Sequence, residues 1–525
     1  MCRINIIGAG LAGLSAAIAL AEQGRETNLI SAQPSERAQS VLAEGGINGA
    51  LDLMGEADTV EEHFADTMRG GVFLADPNAV AAMTAAAPAL IRWLHGLGVP
   101  FNMAGDRMIQ RNFGGQKKKR TAYAKSSTGK ILMSALIDEA RKYESAGLIH
   151  RYSHHQVTEL TIQDGACVGL TIWDSYTGEI LSCPGPVILC TGGMNGIFPG
   201  MTTGTTTNTG DVTALALHRG VALANLEFIQ YHPTTVPVPG KRLLLSEAAR
   251  GEGGRLFIEK SGAPWYFMEA LYPELGNLMP RDVISRTMVE VLAREDCGDQ
   301  VYLDLTDLSG EIWRDKLPDL RDEIQHYLHL DPAVNPVPVS PGIHFFMGGI
   351  FVDAAHRTSM PGLYAAGECA CQYHGANRLG GNSMLGAVYG GRISAASAME
   401  QPALDGAPAV IGTQPYSDPI PNHALCGILA RGLGIFRDQA TMETALIQAE
   451  ALLAETTDPI QRRRVLLGKA MLLSALARQE SRGAHTRRDF PNRDDQHFQK
   501  ATVVRMDGEE ISLDLQTIPE RSVEE

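Results

Sequence analysis

The segment from Ile4 to Gly13 constrains the fold of this chain more than any other stretch. An apolar run, Ile4 to Ile7, leads directly into Gly8-Ala9-Gly10-Leu11-Ala12-Gly13, and an Ala- and Leu-rich stretch, Leu14 to Glu22, follows before Gly24. Thr27 to Ile30 reads as a second strand, so the opening predicts strand, glycine turn, helix and parallel strand. In that arrangement Gly8 permits a tight turn, Gly10 lets the backbone approach a pyrophosphate, and Gly13 lets the helix pack on the sheet. The helix amino terminus then offers its N–H groups to the phosphates.

The acidic residue that commonly ends the second strand and holds a ribose is replaced by Ser31. This weakens the case for a nicotinamide cofactor and leaves a flavin dinucleotide. Thr209-Gly210-Asp211 and Gly367-Glu368 are further candidate cofactor contacts, because a carboxylate beside a glycine turn accepts hydrogen bonds from ribityl or ribose hydroxyls.

A chain of 525 residues exceeds one simple core, so several domains are expected. Gln33 to Asn48 is a Gly-, Ser- and Ala-rich loop, with a helix from Val60 to about Met68. Two strands joined at Asp164-Gly165 span Val157 to Ile172, and a short strand, Pro186 to Leu189, ends in Cys190-Thr191-Gly192-Gly193. From Gln230 to His344, prolines at 233, 237, 239, 280, 332, 336, 338 and 341 suggest long loops and an inserted domain. The nucleotide domain resumes at Gly348-Gly349-Ile350 and runs through a helix at Arg392 to Met399. The expected division is residues 1–229 with 346–400, an insertion at 230–345, a Pro/Gly-rich linker at 401–421, and a helical domain with a short-stranded tail at 422–525.

The formal charge of −15 argues against a nucleic-acid partner. No uncharged apolar run reaches the roughly 18 residues of a spanning helix, and Met1-Cys2-Arg3 leads straight into the first strand, so no cleavable leader is expected. The chain reads as cytoplasmic, or peripheral to the inner face of a membrane through a partner subunit. Its eight cysteines are scattered without C-x-x-C spacing, and no metal site is expected. If electrons arrive through iron–sulfur clusters, another protein carries them.

The insertion concentrates reactive side chains: His232-Pro233-Thr234, Ser246-Glu247, Arg250, Arg281 and His344. Arg378 follows in His374-Gly375-Ala376-Asn377-Arg378-Leu379-Gly380-Gly381-Asn382-Ser383. A four-carbon dicarboxylate requires cations at its ends. Arg378 can bind a carboxylate bidentately, with hydrogen bonds from His232, His344 and Ser246. Reducing an activated alkene also needs a proton on the carbon beside the one that receives hydride, and Arg281 with Glu247 and Arg250 makes a plausible relay. The basic run Lys117 to Arg120 reads as a solvated loop that could attract dianions.

With these motifs the chain resembles the flavoprotein subunit of fumarate reductase and succinate dehydrogenase, a superfamily that also contains L-aspartate oxidase. The likeness covers nearly the whole chain, through Ala43-Glu44-Gly45-Gly46, Thr128-Gly129, Glu227 to Thr234, His374 to Ser383 and Glu480-Ser481-Arg482-Gly483-Ala484-His485. It implies an α/β fold: a Rossmann-type FAD-binding domain with an inserted α+β capping domain and a C-terminal helical domain. It also implies substrate contacts from His232, Thr234, Ser246, His344, Arg378 and Phe113, with Arg281 as proton donor and Glu247 and Arg250 as its relay. Cofactor contacts are implied for Gly8, Gly10, Gly13, Ser31, Ser40, Gly45, Gly46, Asp211, Glu368, Ser383 and Leu385.

Two departures sharpen the comparison. Where membrane-complex members attach FAD through a histidine, this chain has Gln39, so FAD is expected to be non-covalent and fumarate reduction to outrun succinate oxidation. Where aspartate oxidases carry a glutamate before a Gly-Gly pair, it has Phe113 before Gly114-Gly115. The first reading is fumarate reduction with an iron–sulfur subunit or another carrier as electron partner. The alternatives are L-aspartate oxidation to iminoaspartate and a non-catalytic flavin relay.

Overall fold

The computed structural model describes residues 2–125, 127–401 and 422–521, so the linker expected at 401–421 lies, beyond Gln401, outside the described residues. The opening strand Ile4–Ile7 is the centre of a five-stranded parallel sheet. Thr27–Ser31 and Ile149–Ser153 lie on one side of it, Val187–Leu189 and Leu363–Ala365 on the other. Helix Leu11–Glu22 crosses this sheet and packs against helix Asn382–Glu400. Glycine makes both approaches possible: a Cβ on Gly13 would lie 1.8 Å from the Gly8 carbonyl oxygen, and one on Gly391 2.2 Å from that of Ala12. The hairpin expected at Asp164-Gly165 is present, joining His155–Gln163 to Ala166–Asp174, with Ile180–Pro184 as its third strand.

The insertion differs from the loop-rich reading. It is built on a six-stranded antiparallel sheet running Lys241–Leu244, Ile229–Val238, Val337–Phe346, Cys297–Asp304, Arg255–Lys260 and Ala263–Trp265. The prolines misled because strands accommodate them here: Pro233 falls in the register shift between His232 and Thr235, while Pro237 and Pro338 sit in paired register opposite Arg242 and Tyr302. The core of this layer joins Leu256, Ile258, Val301, Leu303 and Val337 to Ile284, Met288 and Val291 of helix Arg281–Leu292. That packing leaves Arg281, in the helix's first turn, facing the rest of the molecule. The domain boundaries expected at 229/230 and 345/346 fall within the paired strands Ile229–Val238 and Val337–Phe346, which form the junction.

Helices His423–Gly432, Gln439–Glu455 and Pro459–Ala477 start on the side-chain caps Asn422, Asp438 and Asp458. The tail is longer-stranded than expected. Lys500–Asp507 and Glu510–Thr517 pair as a hairpin and extend a sheet containing Leu223–Ala224, Gly349–Phe351 and Ala370–Cys371. A buried ion cluster locks this return: Arg478 Nε lies 2.7 Å from Glu227, its Nη1 2.9 Å from Glu480, and Arg482 Nε 2.6 Å from Glu480, all with side chains 0% exposed. Among the described residues, no helix is long and apolar enough to cross a membrane.

Removing one partner of a buried ion cluster strands the others without solvent. Glu227→Ala is therefore expected to lower stability by about 3–5 kcal/mol, read as a fall in the thermal midpoint and early protease cleavage of the tail. Arg141→Ala, which breaks exposed pairs to Glu36 and Asp138, should change stability by less than about 1 kcal/mol.

Candidate functional site

One cavity runs from the glycine turn to the junction with the cap. At the near end Gly8 has φ +108°, and a Cβ there would lie 2.1 Å from the Cys190 carbonyl oxygen, so glycine is required at the turn. Gly10 precedes the first helical residue, and the N–H of Leu11 donates to Ser40 Oγ at 3.2 Å. Ser31 Oγ is buried without a partner and lines the cavity, which suits a ribose hydroxyl. A close-approach turn, a helix amino terminus and an unpartnered hydroxyl along one continuous cleft fit a flavin adenine dinucleotide.

Gly45 and Gly46 continue the wall. A Cβ on Gly45 would lie 3.0 Å from the Phe113 ring, and Gly46, at φ +144°, would place one 2.5 Å from Thr121. Glu368 and Ser383 also line the cavity. Two expected contacts have other partners in the structure. Leu385 is fully buried in the core of the dinucleotide domain, and from its helix the lining comes from Ser383, Met384 and Ala387. Asp211 lines the cavity, but its carboxylate is gripped by Arg464 through two hydrogen bonds, one of them Nη2 to Oδ2 at 2.7 Å.

At the far end the wall is Phe113, His232, Ser246, Glu247, Arg281, His344 and Arg378. Arg281 donates to Glu247 Oε2 through Nε at 2.8 Å and Nη2 at 2.5 Å, while the N–H of Gly114 donates to Oε1 at 3.0 Å. Burial pushes the Glu247 carboxyl up, but Arg281 and Arg250 outweigh it and hold it below the usual carboxylate range. Arg250 stands behind this pair and does not line the cavity. Its Nη2 is 3.7 Å from Glu247, its Nη1 donates to the Asn277 carbonyl at 2.6 Å, and burial brings it down to about 10.

Arg378 sits over the Phe345 ring, 4.6 Å from its centroid, with Nε unpartnered. The imidazoles of His232 and His344 are 5.1 Å apart. Burial, then the Arg281 charge, holds both well below the usual histidine range, so both are neutral. Thr234 is corrected from substrate contact to support: it does not line the cavity, its hydroxyl donates to the Leu245 carbonyl at 2.9 Å, and its oxygen lies 3.4 Å from His232 Nδ1. His374 is likewise outside the cavity wall, packed edge-on against Phe345.

Sequence reasoning missed three residues here. Gln230 Oε1 accepts from both Arg281 and Arg378. Thr203 Oγ1 lies 2.8 Å from His344 Nδ1 and, as donor, leaves Nε2–H available. Glu44 lines the cavity, and burial, with Glu323 nearby, raises its carboxyl well above the ordinary value. Glu44 and Gln230 both lay in recognised motifs, but an amide gives no sign of its partners there, and Thr203 is a hydroxyl without distinctive spacing.

Residues 4–384 match the family model described as FAD binding domain, and residues 461–524 match the fumarate reductase flavoprotein C-terminus. The chain is 35% identical to the succinate dehydrogenase flavoprotein subunit of Bacillus subtilis, covering 96% of this chain and 93% of that protein. It is 32% identical to the L-aspartate oxidase of Streptomyces coelicolor, covering 96% and 91%. A solved structure of E. coli quinol fumarate reductase superposes with a TM-score of 0.90 at 29% identity, covering 99% of this chain and 97% of that one.

Burial pushes the Glu368 carboxyl up to about 7, against the downward pull of the Phe346 N–H and Arg378. A carboxyl raised in the folded state contributes stability that is complete below its unfolded value and is lost as pH climbs through the folded one. Cofactor-free protein should therefore lose stability relative to Glu368→Gln between pH 4.5 and about 7, each unit of displacement being worth about 1.4 kcal/mol. Denaturant midpoints of the two proteins across that range check it.

Proposed function

Because this chain belongs to the flavoprotein family of succinate dehydrogenase and fumarate reductase, we propose that it reduces fumarate to succinate. Members of the family are FAD-dependent oxidoreductases acting on these dicarboxylates. The observation that carries the reading is charge: Arg250, Arg281 and Arg378 surround one end of the cavity, where Glu247 is their carboxylate partner. Cations therefore outnumber carboxylates at this end, where Glu368, raised to about 7, is the other carboxyl near Arg378, and a dicarboxylate dianion offsets the excess.

Bound FAD supplies the hydride. The protein's part is to hold and protonate. Arg378 grips one carboxylate, with Ser246 and the Nε2–H of His344 as further donors, while the neutral imidazoles leave the positive charge on the guanidiniums. Phe113, 1% exposed, covers the cavity wall and also belongs to the cap's core, so it excludes water beside the planar alkene. Arg281 gives a proton to the carbon next to the one receiving hydride, and Glu247, backed by Arg250, restores it. A guanidinium is a weak acid, but the incipient carbanion is far more basic.

The FAD is held without a covalent bond. Gln39 cannot form a histidyl linkage, and its Oε1 instead accepts the Thr205 N–H at 2.5 Å, joining the two loops at the cavity rim. Since the covalent bond raises flavin potential in the family, fumarate reduction outruns succinate oxidation here. Electrons return from a separate iron–sulfur subunit or another carrier, which would make the chain a peripheral subunit. Aspartate oxidation is the second reading, supported by the Streptomyces relative and opposed by Phe113, which gives an ammonium only its ring face.

Anaerobic oxidation of a reduced viologen tests the proposal: fumarate should support rapid turnover and L-aspartate none, while succinate should reduce an oxidised high-potential dye more slowly. In a separate aerobic assay, peroxide formed from L-aspartate and dioxygen, without anaerobic fumarate turnover, would select the oxidase. Arg281→Ala should lower fumarate turnover by roughly 10²–10⁴-fold with FAD retained; unchanged turnover would remove the proposed proton donor. Acid precipitation should release the flavin into the supernatant, and Gln39→Ala should speed FAD release, followed by flavin fluorescence.

A further inference from the structure

Gln230 is 0% exposed and does not line the cavity, yet it touches both guanidiniums that do. We infer that it is a positioning residue, aligning the proton donor of the cap with the carboxylate-binding arginine of the dinucleotide domain; this rests on the fumarate-reducing reading above. Its Oε1 accepts from Arg281 Nη1 at 3.2 Å and from Arg378 Nη2 at 3.1 Å. The residue opens the strand Ile229–Val238, so the bridge stands at the domain junction.

The orientation of its amide is specified by its surroundings. Nε2 donates to Asn377 Oδ1 at 2.7 Å and to the Arg378 carbonyl at 2.9 Å. Asn377 is set in turn by Asp282, whose Oδ1 accepts from Asn377 Nδ2 at 2.9 Å, and Asp282 is anchored 3.2 Å from Arg286. A flipped Gln230 amide would turn its NH₂ toward two cations and its oxygen toward two oxygens. The chain Asp282, Asn377, Gln230 therefore presents an acceptor between two guanidiniums that would otherwise repel each other in a low-dielectric site. Holding both by one oxygen sets their separation and directs the remaining N–H groups of Arg281.

The choice of an amide follows from the same charge count. A carboxylate at this position would cancel part of the positive charge that the dianion meets, and it would confront Asn377 Oδ1 with a second acceptor. Gln230 thus acts on alignment, while its neutrality preserves binding.

Two substitutions separate these effects in the full-length, FAD-loaded protein. Gln230→Leu removes the acceptor without adding charge and should lower kcat for fumarate by about 10²-fold, with succinate affinity, by flavin absorbance titration, within about threefold. Gln230→Glu keeps an acceptor but adds charge and should raise KM by at least about tenfold, with the smaller effect on kcat. Asn377→Leu, which loosens the amide without touching its oxygen, should give an intermediate loss of kcat and serves if Gln230→Leu fails to fold. Opposite splits of kcat and KM at unchanged thermal midpoint and FAD content are the expected result. Parallel losses that track FAD content or midpoint, or a kcat within about threefold of wild type in both neutral variants, would overturn the inference. A wild-type chain that turns over L-aspartate but not fumarate overturns the functional reading, and is recognised before any variant is compared.

Discussion

An excess of buried positive charge is what the rest of this molecule is arranged to hold. Cations removed from water are neutralised or expelled unless oxygens surround them. Here Arg281 is paired to Glu247, Arg250 donates to a backbone carbonyl, and Arg281 and Arg378 share the oxygen of one amide. Neutral imidazoles complete the wall without adding charge. Several guanidinium nitrogens still lack hydrogen-bond partners, Nε of Arg378 and Nε and Nη2 of Arg250 among them. The same unmet demand for acceptors that makes the site demanding to fold is what the proposed dianion would satisfy.

Such a site needs walls that do not yield. The parallel sheet and its glycine contacts form one, because the backbones at Gly8, Gly13 and Gly391 approach to distances no side chain could enter. The antiparallel sheet of the insertion forms the other, with Arg281 carried on a helix whose opposite side is set in that layer's core. The tail then returns to the dinucleotide domain by strand pairing and the Glu227, Arg478 and Glu480 cluster. Arg281 and Arg378 thus come from different layers, and their alignment is a property of the junction.

How far the sequence could be read followed from the kind of signal each residue leaves. Glycines at backbone contacts, and cations and imidazoles inside distinctive motifs, were legible, and the structure places Arg281, Arg378, His232, His344 and Glu247 around one cavity. Proline-rich strands were misread as loops because local composition does not reveal where a ladder is interrupted. That Asp211 is also held by Arg464 was not legible, since the two lie 253 positions apart. Thr234 and Leu385 lie near wall residues in sequence, yet a register shift after His232 and burial of Leu385 in the core keep them out of the cavity wall. Gln230 and Thr203 went unnoticed because an amide or hydroxyl acquires its role only from the groups it meets.

The order of the opening strand, turn and helix, the chemical types available for a dicarboxylate, and the missing flavin-linking histidine were all determined by the amino-acid sequence alone, since each depends on residue identity or local backbone freedom. Which arginine faces the cavity and which stands behind, which carboxylate is taken by an ion pair, and where one amide oxygen joins two guanidiniums were decided only by tertiary structure. Those outcomes depend on distances between residues far apart in the chain, and electrostatic energy in a dry interior changes steeply with such distances.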